Sequence, residues 1–504
     1  MRRPEMMKMR VMYNKAVRLL IVRTSNNLTA LLYTCRGGVM RQTLIILLAI
    51  LLTLSIAAPI EAKDGELKLP PYRRVTLKNG MTLLLMEQHE VPIISFNFIV
   101  KAGSVADPAG KEGLASLTAG LLRKGTKSRS ADQISAELDF IGGQLRADAT
   151  TDYTSGAAEF MKKDIGKGLD LLSDVLLNPT FPQTEVTKML KQRIDEIKAA
   201  KDQAQAVIGT YFNAYLYGSH PYGRPTEGDE RSLAAITRET VVKFYETYYT
   251  PGNTILAAVG DFNLAEMERM LAEKLSDWPA KSAPTINLPE PAPAQGKKLL
   301  LIDKPDSTQT FYRIGNLGVT RTHPDRVYIN VINTLFGGRF TSMLNSELRI
   351  NSGLTYGARS FFDQRKARGP YAISTYTRND TTEKAIDMTL DILKRLHEKG
   401  ITEEELKSAK DYIKGQFPPT IETSDQLASL IAQLEFYGLD ESEINNYYAR
   451  IDSMTLADAR RVIKQHFPLD DLVFVLIGKA SEIQNVIKKY APRVDTKSIT
   501  QPGF

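Results

Sequence analysis

Hydrophobic and polar positions follow two rhythms along residues 63–504. Short runs such as Thr82–Met86 and Ile93–Val100 have the alternating apolar pattern of β-strands. Longer segments, such as 167–177 and 384–396, repeat their apolar residues every three to four positions, which is the pattern of amphipathic helices. Strands interleaved with long helices predict an α+β fold with largely antiparallel sheets rather than a doubly wound parallel sheet.

The same order of elements occurs twice. Each half contains two consecutive helices joined by a short turn, and each half is predicted to end on a helix followed by an apolar strand. In the first half these four elements are 167–177, 185–198, 241–249 and 254–260, and in the second half they are 384–396, 403–414, 457–466 and 472–478. A match that preserves the order of the elements predicts an internal duplication, with two α/β-roll halves in tandem.

A proline-rich stretch separates the two halves. Residues 279–296 contain five prolines and little apolar periodicity, which is typical of a semi-extended linker. The predicted organisation is therefore an N-terminal domain at 63–278, a linker at 279–296 and a C-terminal domain at 297–504.

Residues 1–62 differ in charge from the rest of the chain. They contain nine Lys or Arg residues, and Glu5 and Glu61 are their only acidic residues. This segment therefore carries a charge of +7, which equals the formal charge of the whole chain. The remaining 442 residues are neutral in sum, so we expect no nucleic-acid partner.

The same N-terminal segment has the layout of a secretory signal peptide. Met40-Arg41-Gln42 precedes the 15-residue apolar run Leu44–Ala58, and a small-residue cleavage site follows, ending at Ala62. We expect translation to start at Met40, residues 1–39 to be an extension, and the mature protein to be periplasmic or secreted. The alternative is an uncleaved anchor, although the run is short for a membrane span of ~20 residues. The only cysteine, Cys35, lies here, so the rest of the chain can form no disulfide.

Motifs for several common chemistries are absent from the sequence. It contains no Gly-x-x-x-x-Gly-Lys-Ser/Thr loop, no Gly-x-Ser-x-Gly elbow and no dinucleotide fingerprint after a strand. The histidines are His89, His220, His323, His397 and His466, and no two are closer than 69 positions. No pair of histidines can therefore bind a metal from one helix, and a local zinc site is not expected.

One stretch resembles the opening of the pitrilysin/insulinase family, the inverzincin metallopeptidases. It contains Val91-Pro92, Lys101-Ala102-Gly103-Ser104, Asp107, Gly113-Leu114-Ala115 and Lys124-Gly125-Thr126. Further landmarks follow in the family's order, at His220-Pro221-Tyr222-Gly223-Arg224-Pro225, Tyr248-Tyr249-x-Pro251-x-Asn253 and Val259-Gly260-Asp261. The resemblance covers nearly all of the mature chain and implies that its two α/β-roll halves together form half of a clamshell.

The zinc motif of that family is degenerate here. Active members carry His-x-x-Glu-His after Gly-Leu-Ala, two zinc ligands and a general base. The three corresponding positions hold Ser116, Ala119 and Gly120. The family's third ligand corresponds to Glu196, which we interpret as a solvated or capping residue at a vestigial ligand position. The resemblance therefore implies that this chain binds no zinc, because one ligand cannot hold the metal.

The second half keeps another family segment. It contains Phe336-Gly337-Gly338-Arg339-Phe340-Thr341-Ser342, Leu344, Glu347-Leu348-Arg349 and Gly353-Leu354-Thr355-Tyr356-Gly357. In the family, an Arg and a Tyr at the positions of Arg349 and Tyr356 reach across a chamber to the zinc, orient the substrate and stabilise the scissile carbonyl. Without the resemblance, Arg349 is interpreted as a surface helix residue and Tyr356 as a half-buried strand residue.

Two functions from different classes remain open. The pattern resembles the zinc-less subunit of the short-chain heterodimeric branch, similar to processing-peptidase alpha-like subunits, which would lend Arg349 and Tyr356 to a related subunit carrying His-x-x-Glu-His and zinc. The substrate would be a peptide or unfolded polypeptide. The alternative is a pseudopeptidase scaffold or peptide-binding protein without a catalytic role. A standalone hydrolase of another mechanism ranks third, because no triad or carboxylate pair stands out.

Overall fold

Two six-stranded sheets organise the chain in the computed structural model, which describes residues 67–504. The strands are β1 (Arg73–Thr76), β2 (Thr82–Glu87), β3 (Ile93–Val100), β4 (Gln144–Ala149), β5 (Thr154–Met161), β6 (Thr254–Gly260), β7 (Lys298–Asp303), β8 (Gln309–Leu317), β9 (Arg359–Phe362), β10 (Pro370–Arg378), β11 (Val473–Gly478) and β12 (Arg493–Ser498). The predicted signal segment, with its start at Met40 and its cleavage near Ala62, lies outside the described residues.

Helices surround both sheets. Those of the first half are α1 (Leu114–Leu121), α2 (Ala131–Ile141), α3 (Ile165–Leu177), α4 (Gln183–Lys201), α5 (Ala204–Tyr217), α6 (Glu230–Ala234), α7 (Arg238–Tyr248) and α8 (Leu264–Lys274). Those of the second half are α9 (Arg326–Asn333), α10 (Met343–Asn345), α11 (Thr382–Lys399), α12 (Glu403–Gln416), α13 (Ser424–Tyr437), α14 (Ser442–Asn445), α15 (Tyr447–Ser453), α16 (Leu456–His466) and α17 (Ala480–Ile487), with π-helical turns at Thr334–Gly338 and Ser346–Asn351. In the described part of the chain, no helix has both the length and the hydropathy to cross a bilayer.

Several helices begin where the sequence supplies a capping side chain. Ser130, Thr237, Thr402 and Thr455 each accept a hydrogen bond from the backbone N–H three residues ahead, and the residue there bonds back to the cap. Such capping boxes satisfy N–H groups that have no partner inside the helix.

The two sheets have matching topology. Their strand orders are β1-β2-β6-β3-β5-β4 and β12-β7-β11-β8-β10-β9. Five positions correspond in chain order and direction, and only the first differs: β1 is antiparallel to β2, whereas β12 is parallel to β7. The parallel pairs are β2 with β6, β7 with β11, and β7 with β12. The predicted α+β class with two repeated, largely antiparallel halves is therefore confirmed.

The predicted ends of the two halves were wrong, because another helix follows each last predicted strand. Helix α8 follows β6 and packs Met267 and Leu271 into the first core. Helix α17 connects β11 to β12, and both strands run parallel to β7. Parallel strands cannot be joined by a tight hairpin, so a crossover helix is required there.

Each half covers one face of the other half's sheet with a helix. Helix α13 packs Leu427 and Ile431 against β3 and β6 of the first sheet. Helix α5 packs residues such as Val207 and Tyr211 against β11 and its neighbours in the second sheet. This exchange buries apolar faces of both halves together, so residues 67–504 form one unit. It also places α5 between the two clefts described below.

The stretch between α8 and β7 contains no regular element at residues 279–296. It is nevertheless held to the body of the protein. Lys281 Nζ donates to the carbonyl oxygen of Glu246 at 2.6 Å, and His220 Nε2 lies 2.8 Å from the carbonyl oxygen of Pro289.

Candidate functional site

The backbone around Gly113 fixes how helix α1 enters the first half. Gly113 has φ +93°, and a Cβ atom there would lie 2.7 Å from the carbonyl oxygen of Glu227. Only glycine tolerates both conditions. The Asp107 carboxylate accepts hydrogen bonds from the N–H groups of Gly113 and Ala115, both at 2.8 Å. Burial raises the pKa of Asp107 to about 8, while these two donors act in the opposite direction.

The three positions of the degenerate zinc motif lie on α1. Ser116 and Ala119 are buried. The Ser116 Oγ atom lies 3.0 Å from Asp148 Oδ1 and 2.8 Å from Glu227 Oε2, and it accepts a hydrogen bond of 3.0 Å from Arg193 Nη1. The place of the first histidine therefore holds a satisfied polar network instead of a metal ligand.

Arg193, which the sequence analysis missed, occupies the space next to this network. It lies on α4 and forms an ion pair with Glu227. A Cβ atom built at Gly120 would lie 3.3 Å from Arg193 Nη2, so the guanidinium reaches both Ser116 and Gly120. The only signal for Arg193 in the sequence is its position three residues before Glu196. It lies on the helix that holds the third ligand position, while the helix of the zinc motif has lost its ligands.

Glu196 does not join this network. It is exposed on α4 and accepts a hydrogen bond of 2.8 Å from Gln192 Nε2 on the same helix. A zinc site needs three or four ligands around one point. Ser116, Ala119 and Gly120 offer no such set beside Glu196, and the Arg193 guanidinium lies against positions 116 and 120. The residues present do not fit a zinc ion.

A different polar cluster joins the start of α9 to the end of α16. Among the described residues, His323, Asp325 and His466 form the only group of three or more His, Cys, Asp or Glu residues whose possible metal-ligand atoms all lie within 4.8 Å of one another. Arg461 donates hydrogen bonds of 2.7 and 2.8 Å to the two carboxylate oxygens of Asp325 and holds the pKa of that carboxyl well below its usual range. Because Arg461 already neutralises the Asp325 carboxylate, we interpret this cluster as an interhelical ion pair rather than a metal site.

Arg349 lies on the π-helical turn Ser346–Asn351, a conformation that recurs at functional sites. Its guanidinium carbon is 4.8 Å from the ring centroid of Phe340. Cation–π attraction can hold the guanidinium over that ring.

Tyr356 lies in the loop before β9 and is 79% exposed, so its interpretation as a half-buried strand residue was wrong. Gly353 has φ +63° and turns the chain into this loop. The hydroxyls of Thr375 and Thr377 on β10 then donate to the carbonyl oxygens of Gly357 and Leu354, both at 2.8 Å. The backbone is anchored to the sheet edge while the phenol projects outward.

Arg349 and Tyr356 meet at one cleft, and the degenerate zinc region borders another. The first cleft has a volume of about 530 Å³ and includes Gln205 and Ile208 of α5. The second has a volume of about 340 Å³ and includes Arg193, Glu196 and Glu227. Val207 and Thr210, on a different side of α5, line this second cleft. The two clefts share no lining residue, so the chain separates its Arg/Tyr pair from its own degenerate zinc region.

Each half of the chain matches a known protein family. Residues 83–230 match the family described as insulinase (peptidase family M16), and residues 235–413 match the peptidase M16 inactive domain. The chain belongs to the insulinase family. This confirms the family that the sequence motifs indicated.

Relatives of this M16 chain are spread over several bacteria. An uncharacterized zinc protease of Mycobacterium leprae is 27% identical over 401 residues, covering 78% of this chain and 88% of that protein. The uncharacterized zinc protease YmxG of Bacillus subtilis is 24% identical over 413 residues, covering 82% of this chain and 99% of that protein. The likeness therefore extends over both halves, not over a single motif.

Solved structures support the same fold. The peptidase M16 inactive domain from Pseudomonas fluorescens matches with a TM-score of 0.77 and 26% identity, covering 81% of this chain and 98% of that chain. A protease from Helicobacter pylori matches with a TM-score of 0.77 at 22% identity, covering 81% and 100%. At that identity the second likeness shows the fold alone.

Proposed function

We propose that this M16 chain is the zinc-less subunit of a two-chain zinc peptidase that cleaves peptides or unfolded polypeptides. Its partner is a related subunit that carries His-x-x-Glu-His and the zinc. This chain binds no cofactor of its own and contributes Arg349 and Tyr356 to the shared chamber. The observation that carries the proposal is the contrast between a zinc region filled by Arg193 and an Arg/Tyr pair presented at an open cleft.

The chemistry of the two side chains suits this role. A guanidinium and a phenol offer N–H and O–H donors and can both point at a peptide carbonyl oxygen. That oxygen would gain negative charge during attack by water, which zinc in the partner would activate, so donors placed there would stabilise the transition state. Neither side chain needs a metal in its own chain for this.

The surroundings of the cleft also support a partner. Phe340 and Ile350 are 61% and 58% exposed, and Tyr356 is more exposed than either. Large apolar side chains concentrated on one segment are typical of a surface that meets another molecule. The proposed occupant of this rim is the zinc-carrying subunit, which would complete the clamshell, with the peptide enclosed between the two chains.

The test is reconstitution. The purified chain alone is expected to contain no stoichiometric zinc and to leave an unfolded polypeptide uncut. Mixing it with the His-x-x-Glu-His chain from the same organism is expected to give cleavage that a chelator abolishes. Stoichiometric, chelator-sensitive zinc in the isolated chain, or cleavage by it alone, would contradict the proposal. Heterodimer formation without any gain in cleavage would favour the pseudopeptidase scaffold.

We further propose that the chain is exported and matures near Lys63. The basic Arg41, the apolar run Leu44–Ala58 and the small residue at Ala62 support this, because they follow the order of a signal peptide. N-terminal sequencing of the periplasmic or secreted fraction is expected to start within a few residues of Lys63. A mature protein that still begins at Met1 or Met40 would favour an uncleaved anchor.

A further inference from the structure

Two arginines flank a serine on one face of the second sheet. Arg313 on β8 is directly opposite Ser374 on β10, and Ser374 is directly opposite Arg359 on β9. Residues paired in this way share a face, so both guanidinium groups rise from the same side of the sheet. Their guanidinium carbons lie 5.3 and 5.9 Å from the ring centroid of Phe361. Both arginines line the cleft that also contains Arg349 and Tyr356.

Arg313 is largely enclosed, and no carboxylate within residues 67–504 forms an ion pair with it. A Cβ atom at Gly209 of α5 would lie 2.8 Å from Arg313 Nη1, so this glycine makes room for the guanidinium. The Nε atom of Arg313 is shielded from solvent and has no hydrogen-bond acceptor within residues 67–504. Burial lowers the pKa of Arg313 to about 10, and the charge of Arg359 acts in the same direction. The charge of Asp363 acts against both, but that carboxylate forms its ion pair with Arg365. Shielding a charge from water without a partner is unfavourable. A bound anion would therefore stabilise the Arg313 guanidinium.

The cleft as a whole is cationic. Arg339 and Arg349 complete a set of four arginines in its lining, and no aspartate or glutamate belongs to that lining. None of the four forms an ion pair with any carboxylate of the described chain. Arg339 instead donates to the Ser408 hydroxyl at 2.9 Å. Four like charges around one open space repel one another, and a bound anion would relieve that repulsion.

We propose that this arginine cleft, defined by Arg313, Arg339, Arg349 and Arg359, binds a carboxylate of the peptide substrate at its two sheet arginines, Arg313 and Arg359. Arg349 is then left for the scissile carbonyl oxygen. The proposal rests on the proposed function, because it assumes that a peptide reaches Arg349 and Tyr356. A planar guanidinium can donate two parallel hydrogen bonds to one carboxylate. Ser374 adds a hydroxyl donor between the two sheet arginines. The carboxylate belongs to an acidic side chain or to the substrate's C-terminus, and the substrate class is therefore an acidic peptide.

The test is peptide binding to the chain alone, measured by titration calorimetry at low salt. The first probe is a short acetylated and amidated peptide with two glutamates, and the second has glutamines in their place. A third peptide has glutamines and a free C-terminal carboxylate. We expect at least one carboxylate-bearing peptide to bind about tenfold or more tightly than the neutral peptide. The first and third peptides distinguish a side-chain carboxylate from a terminal one.

Variants assign the effect to the cleft. Arg359 is exposed, so Arg359→Met is expected to keep the fold while reducing the preference for the carboxylate at least severalfold. Arg313→Met is a second variant with the same expected loss of preference. Its binding is interpreted only if its thermal unfolding is cooperative, which shows that the variant is folded. Arg269→Met is the matched control, since Arg269 lies on α8 and lines neither cleft. Its preference is expected to equal that of the unaltered chain.

Three outcomes would overturn the proposal. They are equal binding of all three peptides, an unchanged preference in Arg359→Met, and tighter binding of inorganic phosphate than of the acidic peptides. Because no partner is present in this titration, its outcome is independent of the reconstitution test. If the chain shows no preference for carboxylate-bearing peptides but the reconstituted pair cleaves, only the assignment of an acidic substrate is wrong. If the chain shows the preference but the pair does not cleave, the arginine cleft still binds carboxylates and the proposed function is wrong.

Discussion

Replacing Arg349 with alanine, or Tyr356 with phenylalanine, is expected to lower turnover by the reconstituted pair about 10²–10³-fold for each residue. Removing one donor to a developing oxyanion has this effect in enzymes that stabilise such charge, and it corresponds to roughly 3–4 kcal/mol of transition-state stabilisation. Both side chains are well exposed or partly exposed at a cleft, so neither change removes a core contact. Folding and heterodimer assembly are expected to stay intact.

The relative changes in kcat and in substrate binding show at which stage the two donors act. If the two donors act mainly on the charged transition state, kcat falls more than substrate binding weakens. Steady-state cleavage by each variant pair, with assembly checked by gel filtration, measures both quantities. Tyr412→Phe is the control, because Tyr412 is an exposed tyrosine of the same half that does not line the cleft. Full activity of the Arg349/Tyr356 double variant would identify a scaffold.

Periodicity predicted the elements because each one buries a continuous apolar face. Strand β3 was predicted at its observed bounds, since its residues are almost all buried. Helix α11 was predicted from the apolar stripe that contains Ile386, Leu393 and Leu396. The parallel docking of β12 on β7 could not be predicted, because pairing between segments distant in sequence leaves no mark on local periodicity.

The site was predictable only where motifs carried it. Arg349 and Tyr356 were predicted because their segment resembles one of the insulinase family. The cleft that joins them to Arg313 and Arg359 arises from three strands paired across the sheet. On β8, Arg313 has the polar position of an ordinary alternating strand, so its sequence context is that of a solvated residue. The exposed loop position of Tyr356 depends on the positive φ of Gly353 and on hydrogen bonds from two threonines of β10. Those threonines lie 18 and 23 positions from their acceptors, so local periodicity does not reveal the contacts.

Arg193 is expected to prevent three substitutions alone from restoring the zinc motif. The variant Ser116→His/Ala119→Glu/Gly120→His rebuilds the missing ligands and base around Glu196. The guanidinium would still lie against positions 116 and 120. A unit charge 4 Å from another interacts by about 4 kcal/mol at an effective dielectric constant of 20, and a divalent ion by about twice that. Stoichiometric zinc is therefore not expected in this triple variant.

Adding Arg193→Ala to the triple variant is expected to raise zinc affinity at least about a hundredfold. This expectation is smaller than the Coulomb figure, because part of the repulsion can be relieved if the long arginine side chain moves toward solvent. Competition titration against a chromophoric chelator measures the affinity, and metal analysis after dialysis measures the stoichiometry. Lys198→Ala in the triple background is the control, since Lys198 is an exposed cation of the same helix. Equal zinc binding by the triple and quadruple variants would show that Arg193 does not exclude the metal, and the loss of the ligands alone would then account for the degenerate site.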